Sequence, residues 1–505
     1  MPRFKDMPMH PSQILMFSQS VEEAVPADSD VRVLSEVMDS LDWSVLERSY
    51  SETGRPAYPP RVLAKMLAYA YSKGMRSSRK IEEFVENDKR YIWLAGGLTP
   101  DHNTLARFRL DKWAELTELY KDSVRVCAEA GLVFLNVVSV DGSKLQAKSS
   151  RKAIYDDSRV AREMAAVEKV LQEAEETDRL EDEKFGASNG REVPEELKDT
   201  KKRKAKLEEI SKRLKESKRK NVVASEPDSR VMKTKGGRLP SYNLEAAVDS
   251  ENQIIVGMQL TQGETDHGQL PQMVTQVEAN TGLSPDIVLG DSGFSDEETL
   301  KWVDEREQEA LIAPKEHPQE RKRNDLFCSR CFLAAEDKDA LICPAGRELR
   351  FQGEFRTGSG TYRQYGATGC QSCSFYRECV GERGGSRRVS VSTISRLREH
   401  MREKLKSAEG KATFALRKQT VEPVFGQIKR NMGFDRFLAG GLAGATAETA
   451  LICLVHNLLK CGRKAHIAPD SLLRRVAKAF ILAVRHITGQ FLRHNCRSGR
   501  LPAWF

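Results

Sequence analysis

The apolar positions change period along the chain, and each change predicts a different kind of element. From Pro59 to about Ala130 they recur at helical spacing. In "PPRVLAKMLAYAYSKG" Val62, Leu63, Met66, Leu67 and Ala70 fall on one face. Gly74 ends that helix, and Ser77 or Ser78 can cap the next. "TPDHNTLARFRLDKWAELTELY" repeats the logic, with a capping region at Asp101 to Asn103. The expectation is a compact helical unit with helix-turn-helix character. The period then falls to two. "LNVVSVDGSKLQA" reads as a buried strand closed by a turn at Asp141-Gly142. Residues 155–220 are charge-rich and sparsely apolar, which predicts two exposed helices forming a hairpin, the second strongly basic. That second helix is read equally as a solvated spacer or as a contact to phosphates.

Strand signals resume at "YNLEAAVDSENQIIVGMQL" as two runs around a polar turn. A helix follows over about Gly268 to Thr281, then the buried run "SPDIVLGDSGF", the helix "DEETLKWVDERE" and the short strand "EALIAPK". The order strand, strand, strand, helix, strand, helix, strand predicts an α/β fold with a mixed sheet, interrupted by insertions. Long helices follow from about Ser395. The divisions are an N-terminal segment 1–45, a helical unit 46–130, a sheet-bearing unit 131–320 and 395–462, a cysteine-rich insertion 321–394, and a basic tail 463–505.

Composition adds less. With 505 residues, 39% hydrophobic and 30% charged, the chain reads as globular with ample core. A net charge of +8 is a mild pointer to a polyanion. The tail says more: ten Lys or Arg lie between Lys460 and Arg500, against the single acid Asp470. Its apolar face is read as packing on the core, with the cations reaching phosphates rather than a membrane surface. The start "MPRFKDMPMHPSQ" lacks the apolar segment of a secretory signal, and no run is read as reaching membrane-spanning length. "ATAETALICLVHNLL" carries Glu448 and His456 and is taken as a buried helix.

Two strands end in acids, Asp141 after "VVSV" and Asp291 after "IVLG". Neighbouring carboxylates repel unless a cation lies between them, and hard ions such as Mg²⁺ prefer oxygen ligands. The plainer reading is an ordinary turn aspartate, which Asp249 in "AVDSENQ" exemplifies. Six of ten cysteines lie between Cys328 and Cys379, a local cluster that suggests zinc in a reducing cytosol. The pairs Cys328-x2-Cys331 and Cys370-x2-Cys373 could each chelate one side of a tetrahedron, with Cys343 and Cys379 near them. The intervening Gly-, Tyr- and Arg-rich residues are expected to build no core unaided. Cys127, Cys453, Cys461 and Cys496 read as isolated, and His267 in "TDHGQL" as a loop or helix-start residue.

"VDGSKLQA", "VLGDSGF" and "VEPVFGQIKRNMGFDRFLAGGLAGATAETALICLVHNL" resemble, in this order, the three catalytic blocks of DDE transposases of bacterial insertion sequences. "MRSSRKIEEFVENDKRYIWLAGGLTPDHNTLARFR" is similar to the helical domain that precedes that core. The resemblance spans about Pro59 to Leu459. It implies a ribonuclease-H-like, five-stranded mixed sheet flanked by helices, with Asp141, Asp291 and Glu422 as the catalytic triad. It implies two Mg²⁺ ions (Mn²⁺ substituting) held by those acids, and cleavage and strand transfer at the ends of an element. DNA would be the partner, bound by a homo-oligomer, as a dimer, in the bacterial cytosol, with no membrane. Lys429 would contact phosphate, beside Arg430. Related transposases often carry a Tyr and an Arg before the Glu. Here the local residues are Phe414, Arg417 and Lys418, which leaves the arginine role to Arg417 or Lys418. A related set carries a similar insertion with a "CP" and a later "CxxC", which implies Cys343, Cys370, Cys373 and Cys379 as the zinc set. Cys328 and Cys331, paired with Cys370 and Cys373, are the other choice. The alternatives in activity are a metal-dependent nuclease that cuts without joining and an inactive DNA-binding derivative. Because Pro423 follows Glu422, the acid is expected at a helix start or kink.

Overall fold

A computed structural model describes residues 20–51, 56–185, 195–315, 327–328, 331–335, 339–357, 360–381 and 384–467. The basic tail beyond 467, with Cys496, lies outside them, as do residues 1–19 of the N-terminal segment.

The middle of the chain forms a mixed α/β layer around a six-stranded sheet. Its strands are β1 (Val137–Gln146), β2 (Arg230–Thr234), β3 (Gly237–Asp249), β4 (Ile255–Thr261), β5 (Ile287–Gly290) and β6 (Ala310–Ile312). The path runs β2-β3-β1-β5-β6, and β4 also pairs with β3. β3 is antiparallel to β1, while β5 is parallel to β1 and β6 parallel to β5. This is the predicted strand order with one strand more than the expected five. β3 is long enough to take two partners on its outer edge: β2 along residues 237–241 and β4 along 243–248. The extra strand is hard to read in sequence because "RVMKTKGGR" is short and rich in Lys, Arg and Gly. A two-residue turn, Lys235-Gly236, ties it to β3, with Gly237 at φ +97°.

Alternation along the central strands divides two apolar faces. Val138, Val140, Val288, Ala310 and Ile312 join the main core. Val137, Leu289 and Leu311 point the other way, packing with Leu405, Phe414 and Leu416 from the helices Ser395–Lys406 and Ala408–Gly426. Asp141 and Asp291 share the parity of this second set.

Helices Pro60–Ser72, Ser78–Asn87, Lys89–Ala95, His102–Asp111 and Trp113–Glu129 realise the predicted N-terminal pattern. One continuous apolar cluster reaches from Val25 through these helices and the sheet to Cys461. Its axis is the helix Gly441–Ile467. Residues Gly441–Arg463 are long and apolar enough to cross a membrane, which corrects the reading that no run has that length; 78% of the most apolar stretch is buried in this core. The larger polar residues inside find partners. Glu448 meets Arg109 at 3.3 Å and accepts the amide of Leu438 at 2.9 Å. Arg109 also donates to the hydroxyls of Tyr71 (2.9 Å) and Ser78 (2.6 Å). Asn457 bonds both backbone groups of Ile255 at 3.0 Å.

The predicted charged hairpin consists of helices Asp157–Phe185 and Glu195–Ser217. The cysteine-rich segment corrects one expectation. It builds an antiparallel five-stranded sheet of Leu333–Ala334, Ala340–Ile342, Glu348–Thr357, Gly360–Ala367 and Arg388–Ser392. Its tyrosines and aliphatics alternate, so the sheet buries a small core of Phe332, Leu341, Leu349, Tyr365, Ala367, Val389 and Cys370.

His456 is buried and faces the backbone oxygen of Gln253 at 2.8 Å, so its Nε2 carries the donating proton. Burial lowers its pKa to about 4. The neutral ring is the folded form, so its stabilisation is complete above the unfolded value near 6.5. It is lost as pH falls toward 4, a loss of roughly 3 kcal/mol. Thermal unfolding of His456→Gln is expected to show a shallower loss of stability between these pH values. An unchanged acid limb would rule this assignment out.

Candidate active site

The parallel pairing of Val140 with Gly290 sets Asp141 and Asp291 side by side. Asp291 follows the end of β5, but no turn closes β1 at Asp141-Gly142 as expected: the strand continues to Gln146, held by its pairing with β3. Asp141 is mostly buried and accepts the amide of Gly142 at 3.0 Å. Asp291 caps the short turn Ser292–Phe294, accepting the amide of Gly293 at 2.7 Å. Arg417 lies between them, with Nη2 2.9 Å from Asp141 and 3.7 Å from Asp291. Burial raises the Asp141 pKa to about 6. Arg417 opposes the rise, and the charge of Asp291 adds to it. The arginine's grip is incomplete, because its buried Nε has no acceptor among the described residues. The carboxylates thus fit a cation between them, and a guanidinium stands there now.

Two further acids belong to the cluster and were not read from the sequence. Glu245, fully buried in the middle of β3, and Asp266, in the loop after β4, are bridged by the Asn243 amide at 2.6 and 2.7 Å. Asp266 sits over two glycines. A Cβ on Gly142 would lie 2.6 Å from one of its oxygens, and a Cβ on Gly293 2.7 Å from the other. Gly142, inside β1, and Gly293, in the turn after β5, therefore both leave space for a carboxylate. Burial first, then the charge of and hydrogen bond to Asp266, raise Glu245 to about 9. It is therefore protonated at neutral pH and can donate to Asp266. The available signal for Glu245 is an acid inside the buried run "YNLEAAV". Asp266 stands one residue before the more conspicuous His267, which proves to be a turn residue ahead of the helix Gln269–Thr281. Asp249 behaves as the plain turn aspartate, accepting the amides of Leu135 and Asn252 at 3.0 and 3.2 Å.

Glu422 is not at a helix start. Ser407 caps its helix far upstream, and the helix runs unbroken over Ala408–Gly426 with Pro423 inside it. Proline has no N–H to give the carbonyl four residues back. Gln253 replaces it, with Nε2 donating to Gln419 O at 2.7 Å. The helix then widens into a π turn over Gln427–Asn431. Glu422 itself is exposed. Among the described residues no hydrogen bond or ion pair joins it to the aspartates, and no three acid, histidine or cysteine side chains converge as ion ligands. Val421, Val424, Phe425 and Ile428 are core, as predicted, and a Cβ on Gly426 would meet nothing within 4 Å. The π turn alters the seven-residue step to Lys429, which no longer equals two α turns. Lys429 is half-buried and donates to Lys144 O on β1 at 3.0 Å; burial and the charge of Lys235 lower its pKa. Lys418 and Arg430 are exposed.

Cys343, Cys370, Cys373 and Cys379 line one pocket with Phe327, Arg347 and Arg387. The Arg347 amide points at the Cys343 sulfur (3.3 Å) and the Arg387 amide at the Cys370 sulfur (3.4 Å). Cys328 and Cys331 lie 3.3 Å from each other and do not line this pocket. Cys127 is not isolated, its sulfur being 3.1 Å from that of Cys461.

Residues 342–461 match the family described as "Transposase DDE domain", and residues 19–111 match "Transposase domain (DUF772)". No curated protein matches the chain. Both matches are consistent with a DDE-type transposase of insertion sequences. The DDE match includes Arg417, Glu422 and Lys429, whereas Asp141 and Asp291 precede it.

Removing Arg417 leaves two half-buried carboxylates facing each other. Arg417→Gln is expected to lose roughly 1–3 kcal/mol of stability in the absence of divalent ions. Added Mg²⁺ should raise its Tm more than that of the unaltered protein. Equal Mg²⁺ responses in calorimetry would sink the idea that Arg417 holds a cation's place.

Proposed function

We propose that this chain binds the ends of its own insertion element, cleaves DNA phosphodiester bonds there, and transfers the 3′-hydroxyl ends into target DNA. The observation that carries this reading is the adjacency of Asp141 and Asp291 on parallel strands, sharing one cation. The order β4-β3-β1-β5-β6 is compatible with a ribonuclease-H-like sheet; β2 would then be an addition, and the charged hairpin and cysteine-rich segment would be insertions.

Asp141, Asp291 and Glu422 would hold two Mg²⁺ ions, with Mn²⁺ able to substitute. Such ions, when bound, activate the attacking hydroxyl and stabilise the leaving 3′-oxygen. The chain's own groups do the rest. Glu245 keeps its proton, so the cluster carries one negative charge fewer than its acids could. Asn243 fixes the Glu245–Asp266 pair behind Gly142, which stiffens the wall beside Asp141. Arg417, with Nε unpaired among the described residues, can turn from the aspartates to a phosphate once its place is taken. Lys418, Lys429 and Arg430 line the approach and neutralise phosphate charge. The open space over Gly426 leaves room for a strand. Cys343, Cys370, Cys373 and Cys379 would hold a structural zinc ion, remote from the acids. Assembly as a dimer on DNA, in the cytosol, completes the reading.

With purified protein, Mg²⁺ and DNA bearing the element ends, Glu422→Gln is expected to lose cleavage by roughly a hundredfold or more, the scale of one charge-stabilising group. Equal cleavage would remove Glu422 from the site. Cleaved ends that never join target DNA would make the chain a nuclease instead. Elemental analysis of Cys370→Ser/Cys373→Ser protein should show zinc absent; unchanged zinc would discard the proposed ligands.

A further inference from the structure

The ribbon β2–β3 projects past the end of β1. The last β1 pairing is Gln146 with Ser241, whereas β2 continues from Arg230 opposite Ser241 to Thr234 opposite Gly237. Met232 and Val231 are buried at its base, and Lys233, Lys235 and Arg238 lie on its outer part. Lys233 and Arg238 are direct register partners. Like charges placed opposite each other across a strand pair destabilise it. No Asp or Glu occurs from Ser229 to Leu244 to offset them. Among the described residues none of the three cations has an ion pair. Some surface cations elsewhere do: Arg125 reaches both Asp122 and Glu129, and Lys301 reaches Glu297.

The turn is also held toward further positive charge. Arg151 Nη2 donates to Gly236 O at 2.8 Å, and a Cβ on Gly237 would lie 2.8 Å from the same nitrogen. Glycine there lets the guanidinium lie against the turn. Lys235 is near enough to Lys429 for their charges to repel. A surface that gathers unpaired cations at a cost in stability is matched to a polyanion. Its continuity with Lys429, the lysine set beside β1, makes that polyanion the DNA on which the site acts.

We propose that the ribbon's Lys233, Lys235 and Arg238 form a clamp on the phosphate backbone of duplex DNA, extending the track that begins at Lys429. The inference rests on the transposase reading, and its role is positioning and affinity, with no base recognition implied. The test is binding of a labelled mixed-sequence duplex by the full chain, read by anisotropy between roughly 50 and 200 mM NaCl. Every phosphate no longer neutralised takes about 0.9 off the slope of log K against log salt. The triple variant Lys233→Ala/Lys235→Ala/Arg238→Ala is therefore expected to lower that slope by about 2–3, while Lys233→Arg/Lys235→Arg keeps it. The triple variant should melt no lower than the unaltered protein, since a like-charge pair has gone. A lower slope with an unchanged or higher Tm supports the clamp. An unchanged slope overturns it, and so does a lower slope shared by the arginine variant. Absence of salt-dependent DNA binding in the unaltered protein would instead sink the transposase reading itself.

Discussion

Negative charge gathered where the middle of β1 meets the end of β5 is the constraint to which the surrounding structure answers. Parallel pairing makes Asp141 and Asp291 neighbours, and the chain brings Glu245 and Asp266 to the same place. Carboxylates at such spacing in a half-buried site cannot all be ionised unopposed. Three devices meet the difficulty. A guanidinium stands between the aspartates, Glu245 retains its proton, and two glycines make room for Asp266. The first is a side-chain contact, while the other two are built into the backbone and the burial.

The helix that supplies Arg417 is held from the opposite side by the turn after β3. Pro423 would leave the Gln419 carbonyl without a donor, and Gln253 provides one. Gln253 has φ +58°, and its backbone and side-chain oxygens accept from His456 and Lys460 on the central helix. One residue in a left-handed conformation thus joins the sheet, the helix bearing Glu422, and the core. The buried Arg109–Glu448 pair does the same for the N-terminal helices, because Glu448 also fixes the Leu438 amide in the loop that follows Lys429.

Sequence by itself determined most of the elements and their order. Period-two runs of β-branched residues bury one another as strands, and the helical faces from Pro59 onward are legible for the same reason. Asp141 and Asp291 are visible because each ends such a run. The buried stripe Val421, Val424, Phe425 and Ile428 follows from spacing alone. Tertiary structure decided the rest. Pro423 is a local argument for a helix start, and it loses because a side chain from a distant turn supplies the missing donor. Glu245 and Asp266 gain meaning only from what packs against them, since desolvation and neighbouring charge are properties of a fold. The cysteine-rich segment looks too polar for a core, and alternation across five short strands gives it one. Pattern within a segment reports what that segment buries, whereas charge compensation depends on which distant segments meet.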